Sequence, residues 1–288
     1  MKKKISVCFI LTAAVFLTAA GNQPTAYAAE QAEVSQEVIV VEEAPSTAAP
    51  ADRGLIKNFD FGFGLEIIAD YNYHESHFMR LDGGQFGFYV SGMYTGFDPV
   101  FPELYFSFVG GDIEYDGGYQ SGGTLTGDVG NFILNLRPLL GIDVAEFLKL
   151  SDPTIKPYSG LCYRYCFNNL EDLGTGGYKR HQHYLYLPLG LELALPLKMA
   201  PGVTLGAKTE FDILILGKNK SGDHNFTQKS GWGLRFAPNL RFDVSEQFAL
   251  VGEVYYQYWK ISESDTVDGY REPENSTREY GLKAGVIL

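Results

Sequence analysis

Five histidines are the residues of this chain best suited to acid–base or metal chemistry. They are His74, His77, His181, His183 and His224, and all fall in or beside polar stretches predicted to be loops at one end of the molecule. An imidazole exchanges a proton near neutral pH. His181 and His183, two apart at the end of an extended run, could share a metal ion given one further ligand. The sequence contains no His-Glu-x-x-His pair, Gly-x-Ser-x-Gly elbow or nucleotide-binding glycine motif. No catalytic residue, metal ligand or cofactor is therefore assigned, and solvated rim histidines are the expectation. A second set is purely ionic: Glu66, Arg164, Glu192, Lys208, Glu210, Asp212, Arg235, Arg241, Glu253 and Lys283. Acids and bases gathered on one face would pair with each other or line a narrow solute path, and both leave the same sequence trace.

A period of two puts those charges on one face. Phe59, Phe61, Phe63, Leu65, Ile67, Ala69, Tyr71 and Tyr73 alternate with Asn58, Asp60, Gly62, Gly64, Glu66, Asp70, Asn72 and His74, with Ile68 as the exception. The run is about three times the usual strand of five or six residues, whereas a bilayer-crossing strand needs about 9 to 11. The alternation recurs through Leu185 to Leu195 against Glu192, through Val203 to Ile215 against Lys208, Glu210 and Asp212, and through Tyr280 to Leu288 against Glu279 and Lys283. A soluble sandwich would bury the apolar stripe and expose the charges, so parity by itself does not choose between them. Strand length, aromatic strand ends and export favour a membrane. Tyr71 and Tyr73 are expected to belong to the lipid-facing stripe and close its outer end.

Export is read from residues 1 to 28: Lys2, Lys3 and Lys4, the apolar run Ile5 to Ala20, and small residues at Ala26-Tyr27-Ala28 form a secretory signal peptide. Residues 29 to 54 follow as a disordered acidic periplasmic linker rich in Ala, Pro and Glu. Cys162 and Cys166, four apart on one strand, stand about 13 Å apart at roughly 3.3 Å per residue, out of disulfide reach, and are read as lumen-facing packing residues. A net charge of -12 opposes contact with phosphate backbones and excludes nucleic acid as a partner.

Residues 55 to 288 are thus expected to form an all-β, transmembrane, antiparallel up-and-down β-barrel of about 10 strands, with 8 or 12 as alternatives. The strands fall near 57–73, 85–96, 103–115, 123–137, 154–168, 182–196, 202–217, 229–243, 247–261 and 276–288. External loops are predicted at 74–84, 116–123, 168–182, 217–229 and 262–275. A capped helical turn is predicted near residues 143–150.

Three segments carry a family likeness: Lys156-Pro157-Tyr158-Ser159-Gly160-Leu161, Tyr184-Leu185-Tyr186-Leu187-Pro188-Leu189-Gly190, and Asp243-Val244-Ser245-Glu246-Gln247-Phe248-Ala249-Leu250. The chain resembles the outer-membrane β-barrel superfamily of small OmpA-like and opacity-type proteins over about residues 55 to 288. The resemblance implies residence in the cell outer membrane, insertion by the outer-membrane assembly machinery, and contact with outer-membrane lipid and lipopolysaccharide. It also implies extracellular ligands reached through the loops. The expected function is a non-enzymatic envelope protein with a structural or surface-interaction role. The alternatives are a narrow porin-like passive channel and a rim hydrolase, since omptin proteases and lipid A-modifying enzymes place histidine with acidic or serine partners at such a rim.

Overall fold

The computed structural model describes residues 58 to 288, apart from His77, residues 119 to 122, Glu146, Lys149 and Ser151. The signal segment 1 to 28, the linker 29 to 54 and His77 lie outside the described residues. Strands account for nearly all the regular structure: β1 (Phe59–Glu75), β2 (Met79–Tyr94), β3 (Val100–Gly118), β4 (Thr124–Ile142), β5 (Thr154–Gly160), β6 (Cys162–Asn169), β7 (Lys179–Pro196), β8 (Val203–Ser221), β9 (His224–Gln228), β10 (Gly231–Ser245), β11 (Phe248–Ile261) and β12 (Asn275–Ile287). Every pairing is antiparallel. β1 bonds to β2 on one side and β12 on the other, and β7 bonds to β8, so the sheet closes on itself.

Twelve pieces make ten positions around the ring. β5 and β6 both lie between β4 and β7, and β9 continues the line of β10 beside β8. The β5/β6 interruption at Leu161 has a local cause. Pro138 on one neighbour and Pro188 on the other stand opposite the gap, and neither can donate a ladder hydrogen bond. Gly160 belongs to the same device, because a Cβ there would come within 2.1 Å of the Pro138 carbonyl oxygen.

The alternation sorts the side chains as a bilayer requires. Leu65 is 65% exposed and Phe86 75% exposed on the outer wall, whereas Leu81 and Ile133 are fully buried inside. In water such a belt of phenylalanine and leucine would be an association surface, but against acyl chains it is the solvated face. Two bulges then overturn simple parity in the half of the barrel away from the chain ends. On β1 the register shifts between Ile68 and Tyr71, where two residues oppose Gly84 alone. Tyr71 and Tyr73 therefore turn inward, almost wholly buried, instead of joining the lipid-facing stripe, and Asp70 and His74 take the outside. On β8 the extra residue is Ile215, between the pairs Leu185 with Leu216 and Tyr186 with Leu214.

Two predicted loops are mostly strand. Residues 79 to 83 pair with β1 and residues 79 to 82 also with β3, and β8 and β9 consume 217–228 except for Gly222 and Asp223. These stretches look like loops in sequence because their outward residues meet water, but their ladders continue beyond the apolar belt. Near residue 145 the described residues show two turn hydrogen bonds, Leu148 N to Val144 O and Leu150 N to Ala145 O, with Asp143 accepting from Ala145 N at their start.

An arginine in the belt must leave lipid or deform it, which costs about 2–4 kcal/mol near the midplane. Leu65→Arg is accordingly expected to lower the urea stability of the vesicle-inserted barrel by that amount, whereas an unchanged midpoint would mean Leu65 does not contact lipid.

Candidate functional site

The interior of the ring is the site, and it is built in levels. At the end carrying Asn58 and Leu288 a vestibule of about 370 Å3 opens between the strands. Lys208 pairs with Glu192, its neighbour on the adjacent strand, at 3.4 Å, and Arg241 bonds Asp243 of its own strand at 2.7 Å and approaches Asp60 at 3.9 Å.

Above it the strands deliver a compact belt of charge. Arg137 holds Glu210 at 2.5 Å, Arg235 holds Glu253 at 2.8 Å, and Lys283 reaches the same Glu253 at 3.3 Å. Tyrosines complete the shell: Tyr105 and Tyr255 hydroxyls donate to the two oxygens of Glu66 at 2.9 and 2.8 Å, and Tyr158 donates to Glu210 at 2.8 Å. The same rings carry the cations, with Lys283 4.3 Å from the Tyr105 centroid and the Arg235 guanidinium 4.3 Å from that of Tyr255. Each carboxylate of this belt thereby has a charged or phenolic donor, as burial demands. Asp212 is the exception: it is fully buried one step above Glu210, and neither of its carboxylate oxygens has a hydrogen-bond partner among the described residues.

The next level is the Arg164–Glu279 pair, both residues almost fully buried. Around it and above it apolar side chains fill the axis, among them Ile68, Tyr71, Leu81, Ile113, Ile133 and Leu214. Cys162 and Cys166 are buried free thiols. At the far mouth Arg180, 1% exposed, pairs with Glu75 and Glu272 and donates to Tyr73. Glu272 comes from the β11–β12 connection, which is closed on itself by Glu272 N to Ser264 Oγ at 2.8 Å and Ser264 N to Glu272 O at 2.9 Å.

The ten charged residues singled out in the sequence therefore divide. Glu66, Glu210, Arg235, Glu253 and Lys283 meet in the belt. Glu192, Lys208 and Arg241 line the vestibule, Arg164 lies above the belt, and Asp212 sits between levels without a partner. Five further members, Arg137, Glu279, Glu75, Arg180 and Glu272, were not among those ten. Arg137 and Glu279 lie on the inward parity of their strands and were legible there. Glu75, Arg180 and Glu272 sat in segments read as loops, or beyond a bulge that parity could not show.

The rim histidines do not converge. His181 and His183 lie on the outer wall of β7, where their Nδ1 atoms are each 2.7 Å from the Tyr165 and Tyr163 hydroxyls. His224 packs against Tyr270. Among the described residues no group of three histidine, cysteine or acidic side chains could hold a metal ion.

A closed antiparallel ring with an apolar outer belt and a charged interior is a transmembrane β-barrel of the outer-membrane class. No family model matches the chain and no curated protein matches it. Among solved structures it is similar to the outer membrane protease OmpT from Escherichia coli, at 10% identity and TM-score 0.43 over 80% of this chain and 96% of that one. It is also similar to the translocator domain of the autotransporter NalP from Neisseria meningitidis, at 12% identity and TM-score 0.46 over 78% and 87%. A third is the COG4313 outer membrane channel from Pseudomonas putida F1, at 11% identity and TM-score 0.40 over 86% and 100%. At such identities no residue role transfers from any of them.

Removing one partner of a buried ion pair costs about 3–5 kcal/mol, because the other charge is left stranded. Arg164→Ala is expected to destabilise the barrel by that amount and to lower the temperature at which the folded band disappears from unheated gels. Migration identical to that of the unaltered protein would mean Glu279 is not held by this pair.

Proposed function

We propose that the protein is a non-conducting outer-membrane barrel that serves the envelope through its outer wall and external connections and not through its lumen. The observation that carries this reading is the filled axis between vestibule and far mouth. The belt around Glu66, the Arg164–Glu279 pair, the apolar residues above them and the Arg180 cluster follow one another along the axis. The space left beside Glu66 is about 10 Å3, room for roughly one water. Ten strands enclose little more than the eight whose interior side chains just fill. Against a rim hydrolase stand the outward, tyrosine-bound positions of His181 and His183, away from any described carboxylate that could orient them as a base.

The Arg180–Glu272 contact favours one competing reading, a channel gated by the β11–β12 connection. Planar-bilayer recording separates the two. Purified protein is expected to give no steady conductance, and so is Arg180→Ala, because the apolar layer around Ile68 and Ile133 stays in place below the latch. Open channels in the unaltered protein would overturn the proposal, and channels appearing only in Arg180→Ala would replace it with the gated reading.

A further inference from the structure

The external half of the outer wall is polarised. On β3 and β4 its exposed side chains include Asp112, Glu114, Asp116 and Asp128. On β7 and β8 the outward positions beyond the leucines carry His183 beside Lys218 and His181 beside Lys220. Parity alone would turn both lysines into the lumen with Lys208 and Glu210. The extra residue at Ile215 reverses the face, so that Asn219 is buried and both lysines project outward. Neither lysine is in an ion pair with a described residue. Lys218 donates only to Thr227 at 2.7 Å, whereas the neighbouring Lys179 is taken by Glu171 at 3.1 Å.

The wall is also hollowed there. His181, His183, Lys218, Lys220, Asn225 and the edge of Phe226 border a groove of about 500 Å3. The Tyr163 and Tyr165 hydroxyls occupy Nδ1 of His183 and His181 at 2.7 Å; in the tautomer in which the phenol donates, Nε2 carries the proton and is a donor to the groove. One ladder step below lie Leu185 and Leu216, and Leu187, Leu189 and Ile213 continue the apolar wall into the membrane. Cations and N–H donors above a greasy stripe, in a chain of net charge -12, match one amphiphile: a phosphate head on acyl chains.

We infer that the outward face of β7, β8 and β9 binds a phosphorylated, multiply acylated lipid of the outer leaflet. Lys218, Lys220, His181 and His183 take its phosphate, and the leucine wall below takes its acyl chains. The acidic wall on β3 and β4 repels the same headgroup, so occupancy is one-sided. This inference is independent of whether the lumen conducts.

The test uses the full-length folded protein in detergent micelles, with bound lipid read by native mass spectrometry. The probes are diphosphorylated lipid A, the same lipid stripped of its phosphates, and phosphatidylglycerol. The expected result is retention of diphosphorylated lipid A, with affinity falling on the order of tenfold or more in Lys218→Gln/Lys220→Gln. The charge-preserving Lys218→Arg/Lys220→Arg and the distant Lys198→Gln should bind like the unaltered protein, and a heat-shifted gel band should verify folding of each variant. Equal retention of the dephosphorylated lipid, equal retention of phosphatidylglycerol, or unchanged affinity in the glutamine pair would each overturn the assignment.

Discussion

Hydrocarbon offers no hydrogen bond, and nearly every feature of this protein follows from that. A backbone N–H or C=O inside the bilayer must find its partner in the chain, so the sheet has to close, and the β1–β12 and β7–β8 ladders close it. A carboxylate or guanidinium facing acyl chains would be stranded, so the charged parity of each strand turns to the axis. Even the flaw in the ladder obeys this constraint. Pro138 and Pro188 leave a place where the intervening strand cannot be bonded, and the chain breaks there at Leu161 while holding Ser159 Oγ to the Pro188 carbonyl at 2.7 Å.

Once charges are driven inward by a ring this narrow, they have to satisfy one another. The interior does so by mixing phenols with ions: Glu66 is held by two tyrosine hydroxyls, and Tyr105 and Tyr255 offer their faces to Lys283 and Arg235 as well as their hydroxyls to Glu66. A tyrosine thus fills volume, donates a hydrogen bond and cushions a cation, three needs that a narrow lumen imposes together. The result is an axis packed with paired ions, phenols and apolar side chains between the vestibule and the far mouth.

Beyond the apolar belt the constraint relaxes, and the two bulges sit at that transition. At Ala69 on β1 and Ile215 on β8 one residue is inserted against the neighbouring ladder and the faces exchange. One exchange brings Tyr71, Tyr73 and Glu75 inside to cap the axis with Arg180, and the other sends Lys218 and Lys220 outside. Interior closure and exterior charge pattern are thereby set by the same kind of local event.

The sequence by itself determined the class and a ring of about ten strands, with eight or twelve still open. A period of two sustained over runs long enough to cross a bilayer has few other physical outcomes, and the inward parity of Glu66, Glu210, Arg235, Glu253 and Lys283 is written in it. It did not reveal where parity reverses. A bulge is a mismatch between two strands, and a single strand carries no mark of the residue its neighbour omits. For the same reason residues 79–84 and 217–228 read as loops: polar side chains facing water look alike whether or not their backbones are laddered. Which acid meets which base, and the burial of Asp212 without a partner, were decided only when strands distant in sequence were wrapped around one axis.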